Sequence, residues 1–317
     1  MILNIFLLII GFILLIKCAD FFVEGASDIA THFNISKIII GLTVVSFGTS
    51  APEFAISCKS LLSGNGDIVL GNVVGSNILN ILLILGLSAL FHSLHIKNNT
   101  VKKELPIVVL FSTLLTILIY DNFFDKNIEN VLTRADGIML LLFFLIFIYY
   151  IFSQAKNKPD TKQEKPKHSI FLSFFLTLIG ILGIVYGSDL VVDASSYIAT
   201  SIGVSKRMIA LTIVALGTSL PELITSVTAT KKGLYDIAIG NVVGSNIFNI
   251  GMVLGIPVVL FGGVSNYTIS LVDGFAFIFS AILLFFFALT KRKITKNEGI
   301  VFLIFFMIYY GYVIYMH

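Results

Sequence analysis

The sequence predicts an all-α membrane protein of ten transmembrane helices, arranged as two inverted five-helix repeats with both termini outside. Three observations predict it. Of 317 residues, 57% are hydrophobic and only 12% charged, more apolar side chain than a soluble domain of this size buries. Apolar runs of roughly 17–25 residues recur along the whole chain, the length a helix needs to cross ~30 Å of hydrocarbon. A stretch of the first half also returns 169 residues later in the second.

The ten runs lie near 2–23, 37–62, 68–91, 105–120, 131–153, 169–192, 206–230, 236–262, 270–290 and 299–316. Barrel strands would instead alternate over ~10 residues. The first run has no basic start and no small-residue cleavage site after it, so it reads as a retained span. Cys18 and Cys58 both fall inside spans, where a structural disulfide is not expected.

Lysine and arginine set the orientation. With the N-terminus outside, the inward loops hold fifteen of the 21 basic residues: Lys37; Lys97, Lys102 and Lys103; the five lysines from Lys156 to Lys167; Lys231 and Lys232; and Lys291, Arg292, Lys293 and Lys296. The outward loops hold Lys126, Arg134, Lys206 and Arg207. The net charge of +3 is thus a topology signal, and no aromatic-basic pattern points to nucleic acid.

Ser36–Asn80 aligns without gaps with Ser205–Asn249, giving 24 identities in 45 positions. Gly11, Asp20 and Ser27 stand opposite Gly180, Asp189 and Ser196. Five spans per copy is an odd number, so the second copy enters the membrane in the opposite sense, a recurring design of secondary transporters. The domain reading follows: 1–153 as the first half, 154–168 as a polar, lysine-rich cytoplasmic linker with two prolines, and 169–317 as the second half. No soluble catalytic domain fits, and no enzyme activity is expected.

Each copy gathers its polar residues in two neighbouring spans. In GTSAPEFAIS, Ser46, Ser50 and Glu53 share a helix face, with Thr49 and Ser57 alongside. In GNVVGSNILN, Asn72, Ser76 and Asn80 form a four-step stripe. The mirrored residues are Thr218, Ser219, Glu222 and Ser226, then Asn241, Ser245 and Asn249. Pro52 and Pro221 each remove a backbone donor and free carbonyls in the turn before, with Gly48 and Gly217 easing the break. Gly71/Gly75 and Gly240/Gly244 are small-xxx-small pairs that allow close helix approach. Carbonyls, hydroxyls and a carboxylate are hard oxygen ligands suited to Na⁺ and Ca²⁺. An ionised carboxylate at the bilayer centre costs at least ~2.5–3.5 kcal/mol, and two facing glutamates repel. One divalent cation, or several monovalent ones, removes both penalties.

GTSAPE…GNVVGSNILN and GTSLPE…GNVVGSNIFN resemble the two alpha-repeats of the cation/Ca²⁺ antiporter superfamily, in particular the prokaryotic sodium/calcium exchangers. The resemblance spans the chain. It implies cation sites between spans two, three, seven and eight: a central Ca²⁺ site of Glu53 and Glu222 with the carbonyls of Thr49 and Thr218, completed by Asn80 and Asn249. It implies flanking Na⁺ sites drawing on Ser50, Ser76, Thr49, Thr218, Ser219 and Ser245 and on the carbonyls of Ser46 and Ala215. Spans one and six would slide as the gating pair. Asn249 departs from family members, potassium-dependent ones among them, that carry Asp there, which counts against K⁺ co-transport. Three Na⁺ against one Ca²⁺ would move one net charge.

The function expected is Na⁺/Ca²⁺ antiport by alternating access, electrogenic, extruding Ca²⁺ from a monomer in a prokaryotic plasma membrane, with no cofactor. An H⁺/Ca²⁺ or broader cation/proton exchanger on the same site is the alternative. That branch carries a histidine-containing motif, and His32, His92, His95, His168 and His317 all lie away from both cores. A channel would need subunits around a pore, and an intramembrane protease would need paired aspartates or HExxH.

Overall fold

The structure, a computed structural model, describes residues 1–124, 126, 130–156, 165–204, 213, 215–265, 267 and 269–316. Most of the linker, the outward Lys206 and Arg207, and His317 lie outside them. The main helices are α1 (Ile2–His32), α2 (Lys37–Thr49), α3 (Ala51–Leu62), α4 (Gly66–Phe91), α5 (Leu105–Ile119), α6 (Arg134–Ala155), α7 (Ile170–Ser201), α8 (Ala215–Thr218), α9 (Leu220–Lys231), α10 (Tyr235–Phe261), α11 (Leu271–Lys291) and α12 (Lys296–Met316).

Seven of these are long and apolar enough to cross a membrane, and α2 with α3 makes an eighth span if that bent pair counts as one. This is a mostly helical, multi-pass membrane protein. Of the other expected runs, α5 is 15 residues long, and the run 206–230 is described as helix from Ala215 onward. α1 and α7 outrun their expected ends at 23 and 192. Glu24 and Asp28 look like a span boundary in sequence, yet both sit inside α1 with partners. Glu24 receives Lys232 Nζ at 3.0 Å, and Asp28 accepts the backbone N–H groups of Lys167 and His168 at 3.1 and 3.0 Å.

Burial separates two central helices from a lipid-facing shell. The most apolar windows of α4 and α10 are 72% and 83% buried, against 22% for α1 and 17% for α12. α1 and α7 pack antiparallel along their length. At Gly180 a Cβ would stand 2.6 Å from the backbone nitrogen of Phe22, so only glycine permits that approach. On the other face α2 crosses α10, where a Cβ on Gly240 would come within 2.9 Å of Gly41 Cα. No described atom lies within 4 Å of where a Cβ of Gly71 or Gly75 would sit. The segment that mirrors α2 there begins outside the described residues.

The loops supply two short antiparallel pairs. β1 (Leu94–His95), after α4, joins β4 (Lys293–Ile294), between α11 and α12; β2 (Val131–Leu132), before α6, joins β3 (Val264–Ser265), after α10. Asp136, Asp273 and Glu298 close capping boxes with Thr133, Ser270 and Thr295, fixing the starts of α6, α11 and α12. The free cysteines are Cys18 and Cys58.

Candidate cation site

Both prolines act where the sequence places them. α2 and α3 meet at 46° just before Pro52. In the second half the carbonyl of Gly217, four residues before Pro221, accepts the Ser188 hydroxyl of α7 at 2.7 Å, replacing the N–H that proline lacks. The mirror of Ser188 is Ala19, which has no hydroxyl to offer Gly48.

Glu53 and Glu222 are both fully buried, and each meets hydroxyls of the opposite half. Ser50 Oγ donates to Glu222 Oε1 at 3.1 Å, and Ser219 Oγ lies 3.5 Å from Glu53 Oε1. Thr218 also lies beside Glu53, and Thr49 and Ser245 beside Glu222. Thr49 Oγ1 donates to Asn241 Oδ1 at 3.0 Å and lies 3.5 Å from Ser245 Oγ. Among the described residues no lysine, arginine or histidine pairs with either carboxylate. Their second oxygens, Oε2 of each, have no hydrogen-bond partner among the described residues.

Asn72 and Asn241 brace the glutamate helices instead of facing a cation. Asn72 Nδ2 donates to the carbonyl of Glu53 and to Ser57 Oγ, and Asn241 Nδ2 to the carbonyl of Glu222 and to Ser226 Oγ. Ser57 and Ser226, on the glutamate face in sequence, are occupied by these braces. The carbonyl of Ser46 accepts from Ser50 N at 3.0 Å and lies 3.3 Å from Thr49 Oγ1, whose one proton it shares with Asn241 Oδ1, so a cation there would compete with the backbone donor. Ser76 and Ser245 are buried beside Asn77 and Asn246. Ala215 opens α8.

Asn80 and Asn249 each begin a wide π-helical turn, Asn80–Leu85 and Asn249–Leu254. Such turns cluster at functional sites. The first packs against α9 and the second against α3, which brings both asparagines to the glutamate helices of the opposite half. Asn80 Oδ1 and both amide atoms of Asn249 are buried without a partner among the described residues.

Sequence reasoning missed these turns, the bridging role of Asn246 and Asn77, and the buried, unpartnered Thr225 hydroxyl. The duplicated GSN triplets, 75–77 and 244–246, were the available signal for the asparagines.

The arrangement is two carboxylates with neutral amide, hydroxyl and carbonyl oxygens. No cluster of three or more His, Cys, Asp or Glu exists among the described residues, which disfavours soft metals and suits hard cations.

Residues 3–153 and 172–315 match the family described as sodium/calcium exchanger protein. The chain belongs to this family. It is 38% identical over 267 residues to inner membrane protein YrbG of Escherichia coli, covering 81% of this chain and 80% of that one. It is 31% identical to sodium/calcium exchanger MaX1 of Methanosarcina acetivorans over 96% of both chains. A solved structure of the sodium-calcium exchanger NCX_Mj, soaked with Na⁺ and Sr²⁺, superposes with a TM-score of 0.84 at 33% identity, covering 97% of each chain. The protein is therefore a transporter, a cation/Ca²⁺ exchanger, and its buried polar cluster is the candidate ion site.

Proposed function

We propose that this exchanger moves Na⁺ in one direction and Ca²⁺ in the other by alternating access at the Glu53/Glu222 cluster. One observation carries the reading. Four buried oxygens, Glu53 Oε2, Glu222 Oε2, Asn80 Oδ1 and Asn249 Oδ1, lack any hydrogen-bond partner among the described residues, two from each half. Buried oxygens are ordinarily satisfied, and a hard cation satisfies all four together. Ca²⁺ is held by these oxygens with the carbonyls of Thr49 and Thr218. Na⁺ ions take flanking positions at the hydroxyls of Ser50, Ser76, Ser219 and Ser245 and the carbonyls of Ser46 and Ala215. Two carboxylates neutralise one Ca²⁺. They leave one charge uncompensated when three Na⁺ occupy the site, so exchange is electrogenic.

The full topology is ten spans in two inverted halves with both termini outside and residues 154–168 inside. The strand pairs favour it. β1 must share a membrane side with β4, and β2 with β3, which requires an even number of crossings between the members of each pair. The ten-span arrangement supplies six and four. The basic-residue asymmetry then sets the sign. α1 and α7, packed on each other and mostly lipid-facing, are the elements free to slide past the core. The monomer is the working unit, in the plasma membrane.

The test is Ca²⁺ uptake into liposomes holding the purified protein, loaded in turn with Na⁺, K⁺ or acid. Uptake is expected to need internal Na⁺ and to vanish in Glu53→Gln and Glu222→Gln. Uptake driven by a proton gradient alone would move the exchanger to proton coupling on the same site.

A further inference from the structure

Asn246 fixes which atom of Asn80 faces the carboxylates. Its Nδ2 donates to the backbone carbonyl of Asn77 at 3.4 Å, and its Oδ1 accepts from Asn80 Nδ2 at 3.0 Å. A carbonyl only accepts, so the Asn77 contact dictates the orientation of the Asn246 amide. Asn246 must turn its oxygen toward Asn80, and Asn80 must answer with its NH₂. What remains of Asn80 is its Oδ1, buried and unpartnered.

The mirrored contact is open. Asn77 Nδ2 donates to the Val73 carbonyl one turn back in its own helix, at 2.8 Å. Asn77 Oδ1 and Asn249 Nδ2 are buried and both lack partners among the described residues. An orphaned acceptor and an orphaned donor thus hold the positions that mirror the closed Asn246–Asn80 pair, each 169 residues away.

We propose that Asn246 and Asn77 are positioning residues for the cation site. Each holds the middle asparagine of the opposite half, Asn80 and Asn249 respectively, with its oxygen toward the cation. In this state the Asn246–Asn80 clamp is closed and the Asn77–Asn249 clamp is open. The inference rests on the Ca²⁺ site described above. An asparagine turned the other way would present NH₂ to a divalent cation and repel it, whereas its oxygen coordinates. Groups that orient ligands in this manner matter to affinity by roughly 10–100-fold.

Equilibrium ⁴⁵Ca²⁺ binding to the full-length protein tests it, using Asn80→Ala, Asn246→Ala and the double variant. Asn246→Ala is expected to weaken Ca²⁺ binding roughly 10–100-fold and to add little once Asn80 is already alanine, because it acts through Asn80. Asn246→Asp keeps an acceptor for the Asn80 amide and is expected to recover most of the lost affinity. Additive losses in the double variant, or Asn246→Asp as weak as Asn246→Ala, would overturn the inference. The same cycle on Asn77 and Asn249 is expected to show coupling; independent effects there overturn the mirrored half. Because binding needs no gradient, coupled asparagines in a protein whose uptake ignores Na⁺ would keep this inference and overturn Na⁺ coupling.

Discussion

Ser50 Oγ lies 3.1 Å from Oε1 of Glu222, across the boundary between the two halves, and Ser219 repeats the contact toward Glu53 at 3.5 Å. Each half therefore supplies the acid of its own core and a hydroxyl for the other. A serine that donates to a carboxylate in one state can turn a lone pair to Na⁺ in the next, so the same oxygen serves both. Ser50→Ala removes it. A hydrogen bond to a charged group contributes roughly 1.5–3 kcal/mol, so half-saturating Na⁺ is expected to rise about tenfold or more, with a smaller change for Ca²⁺. Ser219→Ala is expected to cost less, since 3.5 Å lies at the limit of a hydrogen bond. Uptake measured over a Na⁺ series decides it; equal shifts for both ions would show that Ser50 only packs.

The α2–α10 crossing leaves no room for a side chain. A Cβ at Gly240 would stand 2.8 Å from the carbonyl oxygen of Ile38 and 2.9 Å from Gly41 Cα. Backbone cannot step aside as a flexible side chain can, and overpacking costs roughly 1–3 kcal/mol. Gly240→Ala is expected to lower the unfolding temperature and to cut transport, because α2 carries Ser46 and Thr49. Gly311→Ala, with no described atom within 4 Å, is the control and should leave both unchanged. Thermal unfolding in detergent reads the difference, and a Gly240→Ala protein as stable as wild type would refute the close crossing.

Much of this site was legible in the sequence for a physical reason. Duplication marks positions twice, so Glu53 and Glu222 stood out as acids inside the same polar setting in two membrane segments, where a lone acid is costly. The prolines foretold broken helices. What stayed hidden depends on contacts between halves. Nothing local in NILLIL or NIGMVL announces a π-helical turn, and the bridge from Asn246 to Asn80 exists only once α10 lies against α4. Helices run on past the apolar runs where charge is neutralised in three dimensions: Glu24 and Asp28 continue α1 beside Lys232 and the N–H groups of residues 167 and 168. The acids at 136, 273 and 298 each close a capping box, whose Ser/Thr-x-x-Asp/Glu spacing is readable in the sequence.

Lys232 joins the end of the α9 segment to α1. Its Nζ lies 3.1 Å from Asp20 Oδ1 and 3.0 Å from Glu24 Oε1. The position mirroring Lys232 is a serine, Ser63, which cannot form an ion pair with the mirrored acids Asp189 and Asp193, so the bridge belongs to one half's arrangement. All three side chains are partly exposed, and such pairs contribute no more than about 1 kcal/mol each. Lys232→Met should therefore shift the unfolding temperature little. If α1 slides past the core during exchange, the bridge breaks in every cycle and its loss should speed turnover, most at low ionic strength where screening is weakest. Initial uptake rates over a salt series provide the check. A rate unchanged at low salt would mean that α1 is not restrained there.

In the proposed cycle, Asn249 sets which half feels the membrane potential. On the proposed assignment, with Glu53 and Glu222 as the only acids of the site, a Ca²⁺-loaded site is neutral, whereas a site loaded with three Na⁺ carries one positive charge. Moving that charge across the membrane is worth about 2.3 kcal/mol per 100 mV, so the Na⁺-loaded step is the voltage-sensitive one. Asn249→Asp adds a third carboxylate without changing the ions carried. The Na⁺-loaded site becomes neutral and the Ca²⁺-loaded site negative, while the net charge per cycle, fixed by stoichiometry, stays the same. Ca²⁺/Ca²⁺ exchange in vesicles is expected to ignore an imposed potential in the wild type and to respond to it in Asn249→Asp. Na⁺/Na⁺ exchange should show the reverse. Wild-type Ca²⁺/Ca²⁺ exchange that responds to potential would mean that the two glutamates do not balance the ion, and the charge assignment at the site would be wrong.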